Sequence, residues 1–170
     1  TFVQLSAEIS HSAGIDNNGK LWTWGYNRWG ALGDGTEIQK NKPIKIMGDK
    51  TFKKVIASDD STVAIDINDE IWHWGRDYGN SSGQIYTPQK LDFKIEYSFI
   101  SGNSHYLFLD KQNKLWGWGN NYNGQLGEGT SSDRTTPVQV IKPDGAPLTK
   151  IVKVSAGTYR TVALDEEGNV

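Results

Sequence analysis

The residue types in this chain that are most able to do chemistry are a recurring set of aspartates. Asp16, Asp66, Asp110 and Asp165 follow one another at steps of 50, 44 and 55 residues, each at the start of a turn that contains asparagine or glycine. Carboxylate oxygens in loops are typical ligands of Ca²⁺. These turns, however, lack the alternating carboxylates and the final glutamate of an EF-hand loop. The spacing therefore predicts structural turns, not a calcium site.

The histidines are the other candidates for metal or acid–base chemistry. There are three, His11, His73 and His105, and His73 lies between Trp72 and Trp74 of an apolar segment. His11 and His105 occupy the same position of two separate repeats, so a shared metal is not expected. The chain has no cysteine, no glycine-rich phosphate loop that opens a helix and no serine-nucleophile elbow. We therefore predict no catalytic residue, no metal and no cofactor.

The elements that carry the aspartates form a repeat. Three of the aspartates precede a Trp-x-Trp-Gly segment by six residues, at 22–25, 72–75 and 116–119. No tryptophan follows Asp165 before the last residue, Val170. A period near 50 residues indicates an array of equivalent structural units.

Each unit contains four short segments with the alternation and β-branched content of strands, separated by polar turns. Trp22 and Trp24 are two residues apart, so they lie on the same face of their strand. Pro43 and Pro137 are expected to open the fourth strand or to lie at a sheet edge, where no ladder donor is needed. Four antiparallel strands per unit predict an all-β fold, a β-propeller of four-stranded antiparallel blades.

The tryptophan pairs are expected to pack between neighbouring sheets. A tryptophan removes about 150–250 Å² from water on burial, which corresponds to roughly 4–6 kcal/mol as an upper bound. An isolated blade would leave that area exposed, so the blades must stack against one another.

Longer motifs carry a resemblance to a known family. The third unit reads Trp-Gly-Trp-Gly-Asn-Asn-Tyr-Asn-Gly-Gln-Leu-Gly-Glu-Gly-Thr over 116–130, and Pro137 follows. The first unit has Gly-Ala-Leu-Gly-Asp-Gly-Thr over 30–36 and then Pro43, at the same spacing, whereas the second unit lacks the Gly-Asp-Gly-Thr stretch. The pattern resembles the regulator of chromosome condensation repeat family, which implies a seven-bladed propeller.

On this interpretation the chain holds about three and a half blades of a presumed seven-bladed ring. The units are expected at residues 1–49, 50–93 and 94–148, with an incomplete unit at 149–170. We expect all 170 residues to form a single partial propeller domain that is a fragment of a ring which is monomeric when full length.

The charge and the apolar segments of the chain argue against two classes of partner, nucleic acids and membranes. The net charge is −2 and no cluster of lysine and arginine is present, so direct binding of nucleic acid is not predicted. No apolar run approaches 18 residues, so no association with a membrane is predicted. The absence of cysteine fits a secreted or cell-surface bacterial protein, slightly favoured, as well as a cytoplasmic or nuclear one.

One loop face of the propeller is the expected binding surface. Strand direction alternates, so the loops after the first and third strands of each blade emerge on the same side. These loops differ from unit to unit, and variable loops on a rigid scaffold commonly carry binding. Trp29 is the one tryptophan outside the repeated pairs, and either packs locally or serves as an anchor for a partner. The candidate contact residues are Arg28, Trp29, Asp59, Asp60, Asp77, Tyr78, Tyr122 and Tyr159.

Three functions remain open from the sequence. The leading prediction is a non-enzymatic propeller that binds a protein partner through this face. The resemblance to the eukaryotic family members implies an alternative, a guanine-nucleotide exchange factor for a Ran-like small GTPase. A second alternative, from the similarity to a bacterial β-lactamase inhibitor protein of the same repeat type, is an inhibitor of an enzyme such as a β-lactamase.

Overall fold

The computed structural model describes residues 1–78, 83–93, 97–102 and 104–170, with residues 97–102 described by their backbone alone. The described residues form three four-stranded antiparallel sheets and one two-stranded sheet. This confirms the predicted all-β architecture of four-stranded blades. The chain divides into two compact units, Thr1–Lys94 and Ile95–Val170.

The first unit contains two complete sheets. Sheet 1 consists of β1 (Phe2–Ala7), β2 (His11–Asp16), β3 (Leu21–Gly25) and β4 (Lys40–Ile46). Sheet 2 consists of β5 (Phe52–Ala57), β6 (Ser61–Asp66), β7 (Ile71–Arg76) and β8 (Gln84–Lys90). A 3₁₀ turn at Arg28–Gly30 follows β3.

The second unit contains one complete sheet and one strand pair. Sheet 3 consists of β9 (Tyr97–Gly102), β10 (His105–Asp110), β11 (Leu115–Gly119) and β12 (Arg134–Gln139). Sheet 4 consists of β13 (Ile151–Ala156) and β14 (Thr161–Asp165).

The strands of each sheet pair in sequence order and in the same register. The residue that opens the second strand faces the glycine of Trp-x-Trp-Gly in every complete sheet, as His11 faces Gly25 and His105 faces Gly119. A register shift recurs between the third and fourth strands, next to that glycine. The sequence repeat is therefore a repeat of backbone pairing.

In the three complete sheets, the recurring aspartate closes the turn between the second and third strands. Asp66 Oδ1 accepts hydrogen bonds from the amides of Asn68 at 2.9 Å and Glu70 at 3.0 Å, and its Oδ2 accepts one from Trp72 Nε1 at 3.2 Å. Asp16 and Asp110 make the same three bonds. The prediction of structural turns is confirmed, and the fixed six-residue interval to the tryptophan is explained by this indole contact.

The two tryptophans of a pair have different roles, and this corrects the prediction that both pack between sheets. In sheets 2 and 3 the second tryptophan of the pair is buried, with Trp74 0% and Trp118 3% exposed. Trp74 donates its indole N–H to the carbonyl of Ala31, in the loop between β3 and β4, at 2.9 Å. The first, such as Trp72, is only half-buried because its indole is turned toward the aspartate. In sheet 1 the second tryptophan, Trp24, is also half-buried, and the centres of the Trp24 and Phe2 rings are 5.6 Å apart.

Within the first unit, the two sheets share one apolar core. Side chains from both sheets, including Ile15, Leu21, Phe52 and Val55, form a single buried cluster with Trp74. Gly33 has a positive φ of 76° and lies so close to this core that a Cβ atom would come within 2.7 Å of the Trp74 indole nitrogen. Only glycine fits this backbone conformation without a clash.

The prolines lie inside the fourth strands and do not open them. Pro43 is the fourth residue of β4, and Pro137 is the fourth residue of β12. Both strands are at the edge of their sheet, where a missing amide donor leaves no ladder bond unmade. The edge alternative of the prediction is the one that the structure adopts.

Candidate functional site

The loops after the first and third strands meet on the same side of sheets 1 and 2. The Tyr26 amide donates to the Ser10 carbonyl at 3.0 Å, and the Arg76 amide donates to the Asp60 carbonyl at 2.9 Å. Ser10 Oγ donates to the Asp59 carbonyl at 2.7 Å and so joins the loops of the two sheets. These bonds hold the variable loops against the strand ends.

A buried asparagine organises the long loop after β3. Asn27 is 0% exposed, and its Oδ1 accepts from the Leu32 amide at 2.8 Å while its Nδ2 donates to Asp34 and to the Thr36 carbonyl. Asn121 has the same role in the second unit. Asp77 occupies this position in sheet 2, where its amide donates to the Gly83 carbonyl at 3.2 Å and it is half-buried.

Trp29 is held in an unfavourable conformation. Its φ of 62° lies in the left-handed region, which is uncommon for a bulky residue and costs roughly 1–2 kcal/mol. Its indole Nε1 is buried and has no acceptor within the described part of the chain. Backbone strain and an unpaired buried donor together are typical of residues retained for function.

Two arginines, one in the turn after β3 and one at the end of β7, offset this cost. The Arg28 guanidinium lies 5.0 Å from the centre of the Trp29 ring, and the Arg76 guanidinium lies 5.3 Å from it. Arg76 also lies 4.9 Å from the centre of the Tyr78 ring. The four side chains form a cation–aromatic cluster, and contacts of this kind contribute about 0.5–2 kcal/mol each. Below, the Trp29 cluster means Arg28, Trp29, Arg76 and Tyr78.

Arg76 was not among the candidate contact residues predicted from the sequence. The signal was available, because Arg76 directly follows the Trp-His-Trp-Gly segment on the same face as Trp29. Its contact with Trp29 was not visible, since the two residues are 47 positions apart, one in the turn after β3 and the other at the end of β7.

Asp60 is the carboxylate that faces Arg76. Its Oδ2 lies 3.5 Å from Arg76 Nη1, which is a loose ion pair. Burial and the neighbouring Asp59 raise the pKa of Asp60, while Arg76 and the more distant Arg28 oppose that rise. The candidate residues of the first unit thus include both signs of charge around one indole.

An open cleft of about 290 Å³ lies beside the cluster, within the first unit. Tyr26, Arg28, Trp29, Glu37 and Gln84 line it. Tyr86 Oη donates to Gln84 Oε1 at 2.7 Å and lies 3.5 Å from Glu37. The cleft therefore has aromatic walls with a guanidinium and a carboxylate at its rim.

The other two candidate residues lie in the second unit. Tyr122 and Tyr159 are among its most exposed apolar side chains, at 80% and 70%. Tyr159 lines a cleft of about 580 Å³ together with residues of the 123–127 loop, and Tyr122 is not part of that lining. Ser104 Oγ donates to the Thr158 carbonyl at 3.0 Å, which anchors the loop that carries Tyr159.

The histidines link neighbouring sheets. His11 Nε2 lies 2.7 Å from Thr62 Oγ1, and the Thr62 hydroxyl donates to the Ala31 carbonyl at 2.9 Å. The one hydroxyl hydrogen is thereby used, so His11 is the donor and carries its proton on Nε2. Burial lowers the pKa of His11 to about 4, so the ring is neutral at pH 7.

His105 repeats this link in the second unit. Its Nε2 lies 2.9 Å from Thr161 Oγ1, and that hydroxyl donates to the Gln125 carbonyl at 2.6 Å.

Among the described residues no group of three or more histidines or carboxylates is arranged to hold a metal ion. No helix in the described part of the chain is long and apolar enough to cross a membrane.

The loop face of the first unit carries side chains of the kinds that bind the surface of a protein partner. It has guanidinium groups over aromatic rings, an indole donor with no acceptor in the described part of the chain, and an open cleft. Such groups bind a partner surface by stacking, hydrogen bonding and ion pairing.

Comparison with known sequences identifies the repeat. The regulator of chromosome condensation (RCC1) repeat matches residues 18–65 and 112–164, which is more than half of the chain. The chain is similar to the ultraviolet-B receptor UVR8 of Arabidopsis thaliana, with 32% identity over 98% of this chain and 39% of that protein. It is 28% identical to the human E3 ubiquitin-protein ligase HERC2 over 99% of this chain and 4% of that protein.

Solved structures show the same fold. The structure of Prp20p from Saccharomyces cerevisiae, studied for its binding to Gsp1p and histones, matches with a TM-score of 0.79 and 23% identity. The match covers 98% of this chain and 43% of Prp20p. The chain thus spans less than half the length of these relatives. Its sheets are blades of a β-propeller, and the chain belongs to the regulator of chromosome condensation repeat family.

Proposed function

We propose that this chain is part of a non-enzymatic β-propeller that binds a protein partner through the loop face of its blades. In the first unit the contact surface is centred on the Trp29 cluster, with Asp59, Asp60 and Asp77 beside it. In the second unit the contact residues are Tyr122 and Tyr159. No cofactor takes part in this function.

The observation that carries the proposal is the state of Trp29. The residue keeps a left-handed backbone and a buried indole N–H that has no acceptor among the residues the structure describes, although an asparagine stands at the equivalent position of the third repeat. Tryptophan, tyrosine and arginine are the residue types enriched at binding hot spots. The Trp29 cluster consists of these types only.

The relatives support a protein partner in general terms. Prp20p has been studied for its binding to Gsp1p and histones, and another structure shows yeast RCC1 (Prp20) bound to Kap60. The ligase activity in the name of HERC2 is not carried over, because this chain spans 4% of that protein.

The similarity to Prp20p also favours keeping the exchange-factor alternative. In that case the propeller would bind the nucleotide-free form of a Ran-like small GTPase more tightly than the nucleotide-bound form. Faster release of labelled GDP from a GTPase panel would support the exchange-factor function, and unchanged release would reject it. The enzyme-inhibitor alternative remains a prediction, and titration against β-lactamases tests it.

The test of the proposed function uses the full-length protein as bait and measures the affinity of a captured partner by isothermal titration calorimetry. Trp29→Ala combined with Tyr78→Ala is expected to weaken binding by at least about thirtyfold, as for loss of a hot spot of roughly 2 kcal/mol. Tyr122→Ala with Tyr159→Ala tests the second unit separately.

The matched control is Lys53→Ala, since Lys53 is exposed and pairs with Asp69 in a turn between the second and third strands, on the opposite side of the sheet. We expect this variant to bind normally. Unchanged affinity in both loop-face variants, or loss of binding in the control, would show that the contact surface lies elsewhere.

A further inference from the structure

Arg28 presents side-chain hydrogen-bond donors that no described residue accepts. Its guanidinium carbon lies over the Trp29 ring, 5.0 Å from the ring centre, so one side of the group faces the indole. A guanidinium stacked in this way keeps its N–H groups free at the edge. Among the described residues no carboxylate lies within ion-pair distance of Arg28, and its side chain is exposed.

Arg76 lies against an aromatic ring as Arg28 does, and it also has a carboxylate partner. Its guanidinium lies against the rings of Trp29 and Tyr78, and Nη1 meets the Asp60 carboxylate at 3.5 Å. Within one cluster, therefore, one arginine has both its aromatic contacts and its carboxylate. The other arginine has the aromatic contact but, among the described residues, no carboxylate within ion-pair distance.

The surroundings of Arg28 are open to a partner. The cleft of about 290 Å³ is lined by Arg28 and by the exposed Tyr26. The buried Trp29 Nε1 beside it has no acceptor within the described residues. A guanidinium held by stacking loses little further side-chain entropy on binding, which favours a planar, two-point ligand.

We propose that Arg28 binds a carboxylate side chain, aspartate or glutamate, on an exposed loop of the protein partner, and that Trp29 holds the guanidinium in place for this contact. This proposal rests on the proposed function and specifies the partner chemistry at that surface. A carboxylate matches the fork of the guanidinium with two parallel hydrogen bonds.

The local charge favours a carboxylate over a phosphate group. Glu37 lines the same cleft, and Asp59 and Asp60 lie on the neighbouring loop of the same face. Each of these carboxylates repels an incoming anion, and a phosphate with close to two negative charges is repelled more than a carboxylate with one.

The experiment titrates isotopically labelled protein with the acetylated and amidated peptide Gly-Ser-Glu-Ser-Gly and follows the tryptophan indole resonances by NMR. Trp29→Phe identifies the Trp29 signal. The Trp72 indole, which is bonded to Asp66 in a turn of the opposite face, is the internal control. We expect the Trp29 signal to shift and the Trp72 signal to stay in place.

Matched peptides and variants separate the explanations. The glutamine peptide is expected to cause no shift, and Arg28→Gln is expected to abolish the response to the glutamate peptide. Arg28→Lys keeps the charge but loses the fork, so we expect about tenfold weaker binding or more, as for loss of one charge-assisted hydrogen bond.

Three results would overturn the carboxylate proposal. They are an equal shift with the glutamine peptide, a response that survives Arg28→Gln, and tighter binding of a phosphoserine peptide than of the glutamate peptide. Absence of any peptide response also contradicts it. The proposed function is judged separately, by whether partner affinity depends on Trp29 and Tyr78.

Discussion

At the scale of single residues, the recurring aspartates stabilise the molecule through several bonds at once. Asp66 is 1% exposed and receives two amide donors, the Trp72 indole and the Lys50 ammonium at 3.2 Å. Burial acts to raise the pKa of Asp66, but the hydrogen bonds from Glu70, Trp72 and Lys50 outweigh it, so the pKa is lowered. The carboxylate is thus charged and fully paired at neutral pH.

Asp66→Ala is therefore expected to lower the free energy of unfolding by about 2–4 kcal/mol, because it leaves several donors without an acceptor inside the protein. Urea denaturation measures this change. Lys53→Ala, which removes an exposed ion pair with Asp69, is the control and should change stability by less than about 1 kcal/mol. A loss below about 1 kcal/mol for Asp66→Ala would mean that water replaces the carboxylate.

At the candidate site, the sequence indicated Trp29 and Arg28 but not Arg76. Trp29 stood out because it is the one tryptophan outside the repeated pairs, and Arg28 is its neighbour in the chain. Arg76 was left out, because its contact with Trp29 depends on the stacking of two sheets. The left-handed φ of Trp29 also has no sequence signature, since tryptophan does not favour that region.

At the scale of elements, the histidine–threonine links join the second strand of one sheet to the second strand of the next. His11 reaches Thr62, and His105 reaches Thr161. The Nδ1 atoms of both histidines are buried without a partner within the described residues. A protonated ring would leave a buried N–H and a charge unpaired, so both links require neutral histidine.

These links predict loss of stability in mild acid. Burial lowers the pKa of His11 and His105 to about 4, and burial also lowers that of His73 to about 4 against an opposing effect of Asp77. The unfolded chain takes up these protons near pH 6.5. The stabilisation is complete above pH 6.5 and is lost as the pH falls toward 4, by about 1.4 kcal/mol per pH unit for each histidine.

Urea denaturation midpoints between pH 7.5 and 4.5 measure this loss. The control is a variant with glutamine at all three histidine positions, whose midpoint should be nearly constant across that range. The aspartate turns do not interfere, because the pKa values of Asp16, Asp66 and Asp110 are lowered below their ordinary value and act at more acid pH. A flat profile in the unsubstituted protein would contradict the prediction.

At the scale of the whole molecule, stability depends on packing between blades. Trp74 belongs to sheet 2, yet it is buried in the core that both sheets of the first unit share, and it donates to the Ala31 carbonyl in the loop between β3 and β4. Trp74→Ala is expected to reduce the free energy of unfolding by about 3–5 kcal/mol. Calorimetry or urea denaturation measures it, with Tyr122→Ala as the exposed control, which should stay within about 0.5 kcal/mol. A loss for Trp74→Ala no larger than that of the control would show that packing between sheets contributes little.

The sequence by itself determined the repeat, the four-stranded unit and the position of each turn, because these depend on local periodicity and on residues close together in the chain. The Asp-to-Trp interval and the Trp-x-Trp-Gly segment lie within one hairpin, so their spacing is visible without a structure. Only the tertiary structure decided which tryptophan of a pair is buried, which histidine reaches which threonine and which arginines stack on Trp29. The contacts of Trp74 with Ala31, His11 with Thr62 and Arg76 with Trp29 join residues 43 to 51 positions apart, and their geometry is set by how the blades pack.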